Sequence, residues 1–324
     1  MSKEVRPGLS VDELVANHIE KTQITDDAHD RINLGLLGFP RSGKTVSLLT
    51  LDRAMLNSRW KFLPANYATL DLIEPLQKDL YENGILPPAT PTYLELAFDV
   101  STYGSTLGFV EGIYPPMRLQ VFDAPGGDSM PGGANDAFTS KTIDYIGRCT
   151  GIMFLIDPDE TWTRAEEVTG GQDLEGERQG KYYTIINSIF NRIEIQRKSE
   201  KGATPTKVYI AFCLTKMDKY GLQQVDVKAF AKKIIGTFAI RRIEQFCRTN
   251  PHISERWFST SAIGVMRNHD RRLVSRLDTD TGRVIDPHKI EPYGIRDALE
   301  WLLNSASEDR GRKPLWSRLL GRLR

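Results

Sequence analysis

Cysteine is scarce in this chain. Its 324 residues hold three, Cys149, Cys213 and Cys247, far apart and in no CxxC spacing. That excludes a disulfide framework and a zinc cluster, and it fits a reducing compartment. An excess of charge of either sign is missing too. Lys and Arg number 43 against 42 Asp and Glu, so no chain-wide basic footprint for nucleic acid is expected. No stretch approaches the roughly 20 apolar residues of a membrane span. The opening segment MSKEVRPGLSVDEL lacks the apolar core of a secretion signal. His18, His29, His252, His269 and His288 are scattered without metal-ligand spacing. What is present is a globular composition, 40% hydrophobic and 26% charged, enough to build a core. The expectation is a soluble cytoplasmic protein.

The pattern along the chain predicts one α/β domain over 31–304. It has a polar extension at 1–30, where Ser10 can cap a short helix, and a basic tail at 305–324. The apolar run Ile32, Leu34, Leu36, Leu37 ends at Gly38 and suits a buried strand. A helix is predicted from Gly43 to Asn57 and another over 67–82. Residues 83–92, NGILPPATPT, must be a loop. Residues 93–110 and 118–123 are β-rich. The segment 124–135, APGGDSMPGGAN, can hold neither helix nor strand. Further helices are predicted at 136–148, 176–199, 223–248 and 291–304, with a polar, acidic insertion at 158–175. Buried strands are predicted at 152–156 and 208–214, and a short strand at 256–260. Strands alternating with helices indicate a largely parallel sheet covered on both faces.

The chemistry starts at Gly38-Phe39-Pro40-Arg41-Ser42-Gly43-Lys44-Thr45, a GxxxxGK[ST] loop between a predicted strand and a predicted helix. Such a loop wraps a phosphate with backbone N–H groups, and the helix start, with Val46 next in line, adds its dipole. Lys44 would reach the β- and γ-phosphates, and the Thr45 hydroxyl would ligate Mg²⁺. By average residue usage the pattern arises in roughly 1% of chains this long. Asp123-Ala124-Pro125-Gly126 is a DxxG at the end of an apolar strand. An aspartate there can hold Mg²⁺ through water, and the Gly126 N–H can meet a γ-phosphate. Thr215-Lys216-Met217-Asp218 follows the strand at 208–214. A carboxylate suits guanine, which presents two adjacent donors, N1–H and the 2-amino group; adenine has no such pair. The stem of Lys216 can lie along the purine face. Ser261-Ala262 stands where a backbone N–H, from Ala262, could read the guanine O6.

In this order, GFPRSGKT, DAPG, TKMD and SAI, the sequence resembles the P-loop GTP-binding proteins over about residues 31–304. Within that class it is similar to the bacterial double-GTPase-type domains of the TRAFAC clade. In those a GxxPPAT-like loop precedes the second strand, here Gly84-Ile85-Leu86-Pro87-Pro88-Ala89-Thr90. The resemblance implies a three-layer fold with a mostly parallel central sheet, Mg²⁺ as cofactor, and slow hydrolysis of GTP to GDP as a molecular switch. It implies that Thr90 is the switch threonine binding Mg²⁺ and the γ-phosphate, with Thr92 as the fallback. Two departures stand out. Ras-like enzymes carry a water-orienting glutamine directly after the DxxG glycine; here that position is Gly127, followed by Asp128. Arg41 lies inside the P-loop, where the similar loop of guanylate-binding proteins carries a built-in arginine finger. A solvated or ion-paired arginine is the plainer alternative.

The expected partners are guanine nucleotide and a protein effector, with a homodimer across the nucleotide sites as one arrangement. The tail RKPLWSRLLGRLR sets Leu315, Trp316, Leu319, Leu320 and Leu323 among five cations. That suits a helix on the inner face of an anionic membrane or in a partner groove; a frayed or self-packed tail is the alternative. Arg267, Arg271, Arg272 and Arg276 are expected on a solvated face, not in a nucleic-acid groove.

Overall fold

The computed structural model of the chain describes residues 32–39, 41–88, 94–102, 117–123, 144–158, 174–199, 207–220 and 226–309. Strand β1 (Ile32–Gly38) leads into α1 (Lys44–Leu49), α2 (Leu51–Ala54), β2 (Trp60–Pro64) and α3 (Tyr67–Asn83). Then come β3 (Leu94–Thr102), β4 (Met117–Asp123), β5 (Gly151–Ile156), α4 (Leu174–Ser199) and β6 (Val208–Leu214). The chain continues through α5 (Val227–Thr249), β7 (Ile253–Ser259), β8 (Val265–Arg267), β9 (Leu273–Ser275) and α6 (Ile295–Asp309). Seven strands form one sheet in the order β2-β3-β4-β1-β5-β6-β7. Strands β4, β1, β5, β6 and β7 run parallel, while β3 is antiparallel to both of its neighbours. This is the expected mostly parallel α/β sheet.

The alternation along the central strands shows why both faces are covered. In β5, Met153 and Leu155 pack with α1, α2, α3 and α6, whereas Ile152, Phe154 and Ile156 pack with α4 and α5. In β6, Tyr209, Ala211 and Cys213 join the first core and Val208, Ile210, Phe212 and Leu214 the second. A strand with apolar side chains on both faces reads as one continuous hydrophobic run, which is how these two appear in the sequence. Phe190 of α4 stacks on Phe246 of α5 with ring centroids 3.9 Å apart. The three cysteines are free. Burial pushes the thiols of Cys149 and Cys247 up to about 12, and raises Cys213 as well.

Several expectations are corrected. The single helix expected from Gly43 to Asn57 is two short ones, parted at Thr50 (φ −101°, ψ 7°). The Thr50 hydroxyl there donates back to the Val46 carbonyl at 3.1 Å. Leu48, Leu49, Leu51 and Met55 are buried either way, so helical periodicity alone could not reveal the break. Strand β2 was not foreseen. It pairs with β3 at the sheet edge, and Trp60 is fully buried there. Helix α5 starts at Val227, where the Asp226 side chain accepts from the Ala229 N–H at 3.0 Å, and it kinks at Gly236. Strand β7 begins at Ile253, earlier than expected, and α6 covers Ile295–Asp309. Arg276 is buried rather than solvated, while Arg267, Arg271 and Arg272 are exposed. The expected helix from Ser10, the segments 103–110 and 124–135, and the tail 312–324 lie outside the described residues. Among the described residues, no helix is long and apolar enough to cross a membrane.

Candidate functional site

The parallel strands end together at one edge of the sheet, and their carboxyl ends carry the sequence motifs. Strand β1 ends at Gly38 and β4 at Asp123, two residues past the register pair Leu36–Val121. Ile156 of β5 stands level with Leu214 of β6, and Leu214 with Ser259 of β7. The residues that follow step across the edge. The Thr215 N–H donates to the Ile156 carbonyl (2.9 Å), the Thr260 N–H to Leu214 (2.8 Å) and the Met217 N–H to Thr260 (3.1 Å). Open α/β sheets bind ligands in the crevice outside these strand ends.

At one end of the crevice is the 38–45 loop. Gly38 must lack a side chain, because a Cβ there would meet Ser42 Oγ at 2.5 Å and Leu155 Cβ at 2.9 Å. Gly43 has φ +86° and turns the chain into α1. The space beside it is open, so backbone conformation rather than crowding demands glycine. Lys44 is 4% exposed, and its Nζ donates to the carbonyls of Gly38 at 2.9 Å and Phe39 at 3.0 Å. Ser42 is fully buried, and among the described residues its Oγ has no hydrogen-bond partner. A buried hydroxyl without a partner costs roughly 1–3 kcal/mol, so it marks a place suited to a polar ligand. Thr45 and Val46 occupy the first turn of α1, both half-buried, and Arg41 is exposed with φ +64°. The C-terminal end of α1 is held by α3, whose Tyr81 hydroxyl and Gln77 side chain both donate to the Leu49 carbonyl at 2.8 Å.

At the other end, every predicted base-reading side chain is buried or half-buried and bonded. Thr215 Oγ1 donates to the Ile156 carbonyl at 3.2 Å. Lys216 (φ +54°) makes an ion pair of 2.6 Å with Asp157, which follows β5 directly and is 2% exposed. Asp218 is 3% exposed, and its Oδ2 accepts from Ser275 Oγ at 2.5 Å. Ser261 exchanges backbone hydrogen bonds with Tyr293, and its Oγ accepts from the Gly264 N–H at 2.9 Å. Ala262 stays half-buried on the cleft wall. Burial, and then the Asp218 charge, push the Tyr293 phenol up to about 12.

A cleft of about 170 Å³ joins the two ends. Gly43, Val46 and Ser47 line it on the loop side; Thr215, Lys216, Asp218 and Ala262 line it on the other. Leu86 and Leu277 close its apolar wall. Sequence reasoning missed four of these participants. Asp157 had a usable signal, since it is the first residue after the buried strand at 151–156. Leu86, Ser275 and Leu277 had none, because their place depends on distant chain crossings.

Of the metal-binding set, Thr45 lies on the first turn of α1 and the Asp123 backbone at the end of β4. The Asp123 side chain, Thr90, Thr92, Gly126, Gly127 and Asp128 fall outside what the structure describes. Among the described residues no group of three or more His, Cys, Asp or Glu is placed to hold a metal ion.

No protein-family model matches the chain, and no curated protein matches its sequence. Solved structures that resemble it include nucleolar GTP-binding protein 1 from Plasmodium falciparum, at 14% identity and a TM-score of 0.38 over 92% of this chain and 96% of that one. Era from Aquifex aeolicus bound to GDP and aluminium fluoride is 15% identical with a TM-score of 0.29; the chain spans about half of its length, 50%, with 71% of its own. The G domain of the T. maritima FeoB iron transporter is 10% identical with a TM-score of 0.28, over 85% of this chain and 99% of that one. Likeness this weak decides nothing about the cleft, which has to be judged by its own residues.

Proposed function

We propose that the chain binds guanine nucleotides with Mg²⁺ and hydrolyses GTP slowly, as a switch. One observation carries this: a single cleft runs from the GxxxxGK[ST] loop to the buried carboxylate of Asp218. A phosphate cradle at one end and a buried acceptor at the other match the two ends of a guanosine nucleotide. Gly38, Ser42, Gly43, Lys44 and Thr45 would hold the phosphates. Asp218 would take the two guanine donors, Lys216 would cover the purine face, and the Ala262 N–H would meet O6. Mg²⁺, when bound, neutralises charge on the β- and γ-phosphates. Thr45, Asp123 and Thr90 are its proposed ligands, and Gly126 would bond the γ-phosphate. Arg41 would steady the charge that shifts toward the β–γ bridge. An effector that recognises the GTP state is the implied partner; a cytoplasmic setting and membrane contact through the tail are part of the same reading.

The deciding experiment measures affinities for GTP, GDP, ATP and xanthosine triphosphate, with Mg²⁺ and with EDTA, in the wild type and in Asp218→Asn. The variant should lose roughly ten- to a hundredfold in GTP affinity, the worth of a buried charge-assisted contact of about 1.5–3 kcal/mol. It should gain affinity for xanthosine triphosphate, whose 2-carbonyl accepts where guanine donates. Equal GTP binding by both proteins would remove Asp218 from the base site.

A second reading, a nucleotide-gated scaffold with negligible hydrolysis, is favoured by Gly127, which offers no side chain to orient water. A single-turnover assay with excess protein over GTP separates the two.

A further inference from the structure

Between the Ser261-Ala262 turn and α6, the chain makes an excursion over residues 263–294. Its hairpin β8–β9 ends at Ser275, directly against the base end of the cleft. Ser275 Oγ donates to Asp218 Oδ2 at 2.5 Å and accepts from the Leu277 N–H at 3.0 Å. The hydroxyl is therefore held from both sides: one of its lone pairs accepts from the Leu277 N–H just past β9, and its single proton goes to the carboxylate. Ser261, the hydroxyl nearest the turn in sequence, is engaged with Gly264 instead. Leu277, two residues beyond Ser275, lines the cleft beside Leu86. The excursion is closed on itself by a Leu277–Val284 bridge and anchored on its far side by the Ile85–Arg283 bridge and a 2.8 Å bond from the Val284 N–H to the Gly84 carbonyl.

We infer that Ser275 is the positioning residue for the base-reading carboxylate, and that it enforces recognition of the guanine 2-amino group. The inference rests on the role proposed above for Asp218. An ionised carboxylate has about four acceptor positions. Ser275 occupies one and fixes the rotamer, leaving enough for the two donors of guanine. A carboxylate held this way can meet both donors at once; one free to rotate meets them less often together. Ser275 touches no nucleotide in this arrangement and acts through Asp218.

The test uses the full chain as wild type, Ser275→Ala, Ser275→Thr and Ser275→Cys. Unlabelled GDP, IDP, XDP and ADP compete with a fluorescent GDP. Inosine lacks the 2-amino group and makes one donor contact instead of two. Ser275→Ala should shrink the GDP-over-IDP preference about tenfold, the worth of one hydrogen bond to a charged group. Ser275→Thr should restore the preference to within about twofold. Ser275→Cys, similar in volume and a weak donor, should fall between them, and it supplies the readout should the alanine form be unstable. An unchanged GDP-over-IDP preference in Ser275→Ala, with the wild type still favouring GDP over ADP, overturns the role of Ser275 and leaves Asp218 in place. A loss that Ser275→Thr does not restore also overturns it, because the hydroxyl is then not responsible. A wild type that does not distinguish GDP from XDP or ADP overturns both the inference and the base-reading role beneath it.

Discussion

The two ends of the cleft are built on different terms. Each carries a cation at a non-glycine residue of positive φ, Arg41 at one end and Lys216 at the other. Such backbone costs roughly 1–2 kcal/mol and is retained where the surroundings enforce it. Lys216 is pinned to the buried Asp157, Asp218 to Ser275, and the Ser261 hydroxyl to a backbone N–H. At the phosphate end, the Ser42 hydroxyl is buried with no hydrogen-bond partner among the described residues, and Arg41 is exposed. The difference teaches that the Asp218 end of the cleft is held by its own internal contacts, which under the proposed function would set base selection before any nucleotide arrives.

The comparison breaks most sharply at Arg41. If that residue serves the reaction rather than the ground state, Arg41→Ala should cut turnover at saturating GTP by at least about a hundredfold, with affinities for GTP and GDP nearly unchanged. Single-turnover rates beside equilibrium binding decide it. Unchanged turnover would leave the scaffold reading ahead.

The opposite signature is expected at Lys216. Removing its ammonium leaves Asp157 charged and buried, so Lys216→Ala should cost about 3 kcal/mol of stability. Lys216 is partly exposed, which holds the loss at the low end of the range for broken buried pairs. Urea unfolding would show it, and Asp157→Asn in the same background should recover part of the loss. A stability equal to that of the wild type would mean that the base end is no more preorganised than the phosphate end.

The smallest effect concerns pH. The Tyr293 phenol is raised from 10.0 to about 12, by burial first and by the Asp218 charge second. The folded state thus holds a proton that the unfolded chain releases near 10. The stabilising contribution is fully present below about pH 10 and is lost as pH rises through 12. Tyr293→Phe should flatten that part of the stability profile, measured by denaturant unfolding at stepped pH. In Asp218→Asn the loss should begin at lower pH, because one of the two causes is gone.

Much of this was legible in the sequence. The runs at 151–156 and 208–214 are apolar on both faces, and no other placement satisfies such strands than the middle of a covered sheet. The helix expected over 67–82 is α3, which the structure caps with the Asn66 side chain at one end and left-handed Gly84 at the other. Strand β2 was hidden because Trp60-Lys61-Phe62-Leu63 is too short to show alternation apart from the helix before it. The break at Thr50 was hidden because its neighbours are buried on either side. In the site, motif residues that follow strands were readable, since a strand end fixes them. Ser275 and Leu277 were not. They owe their place to the path of residues 263–294, and nothing local in RLVSRLD marks a cleft wall.

That path has a bearing on assembly. The sheet needs mainly neighbouring crossovers, but the cleft brings together Leu86, Asp218 and Leu277, and Arg53 donates to the Pro287 carbonyl across 234 positions. Contacts this distant carry a large loop-closure entropy, which is recovered only after the intervening chain is ordered. Helix α6 closes an equally long loop, Ser58 donating to Glu300 across 242 positions, so the excursion and α6 are ordered against the rest of the sheet together. The cleft wall is then completed only once residues 263–294 are in place, and the excursion is the first part of the cleft expected to detach under mild denaturation.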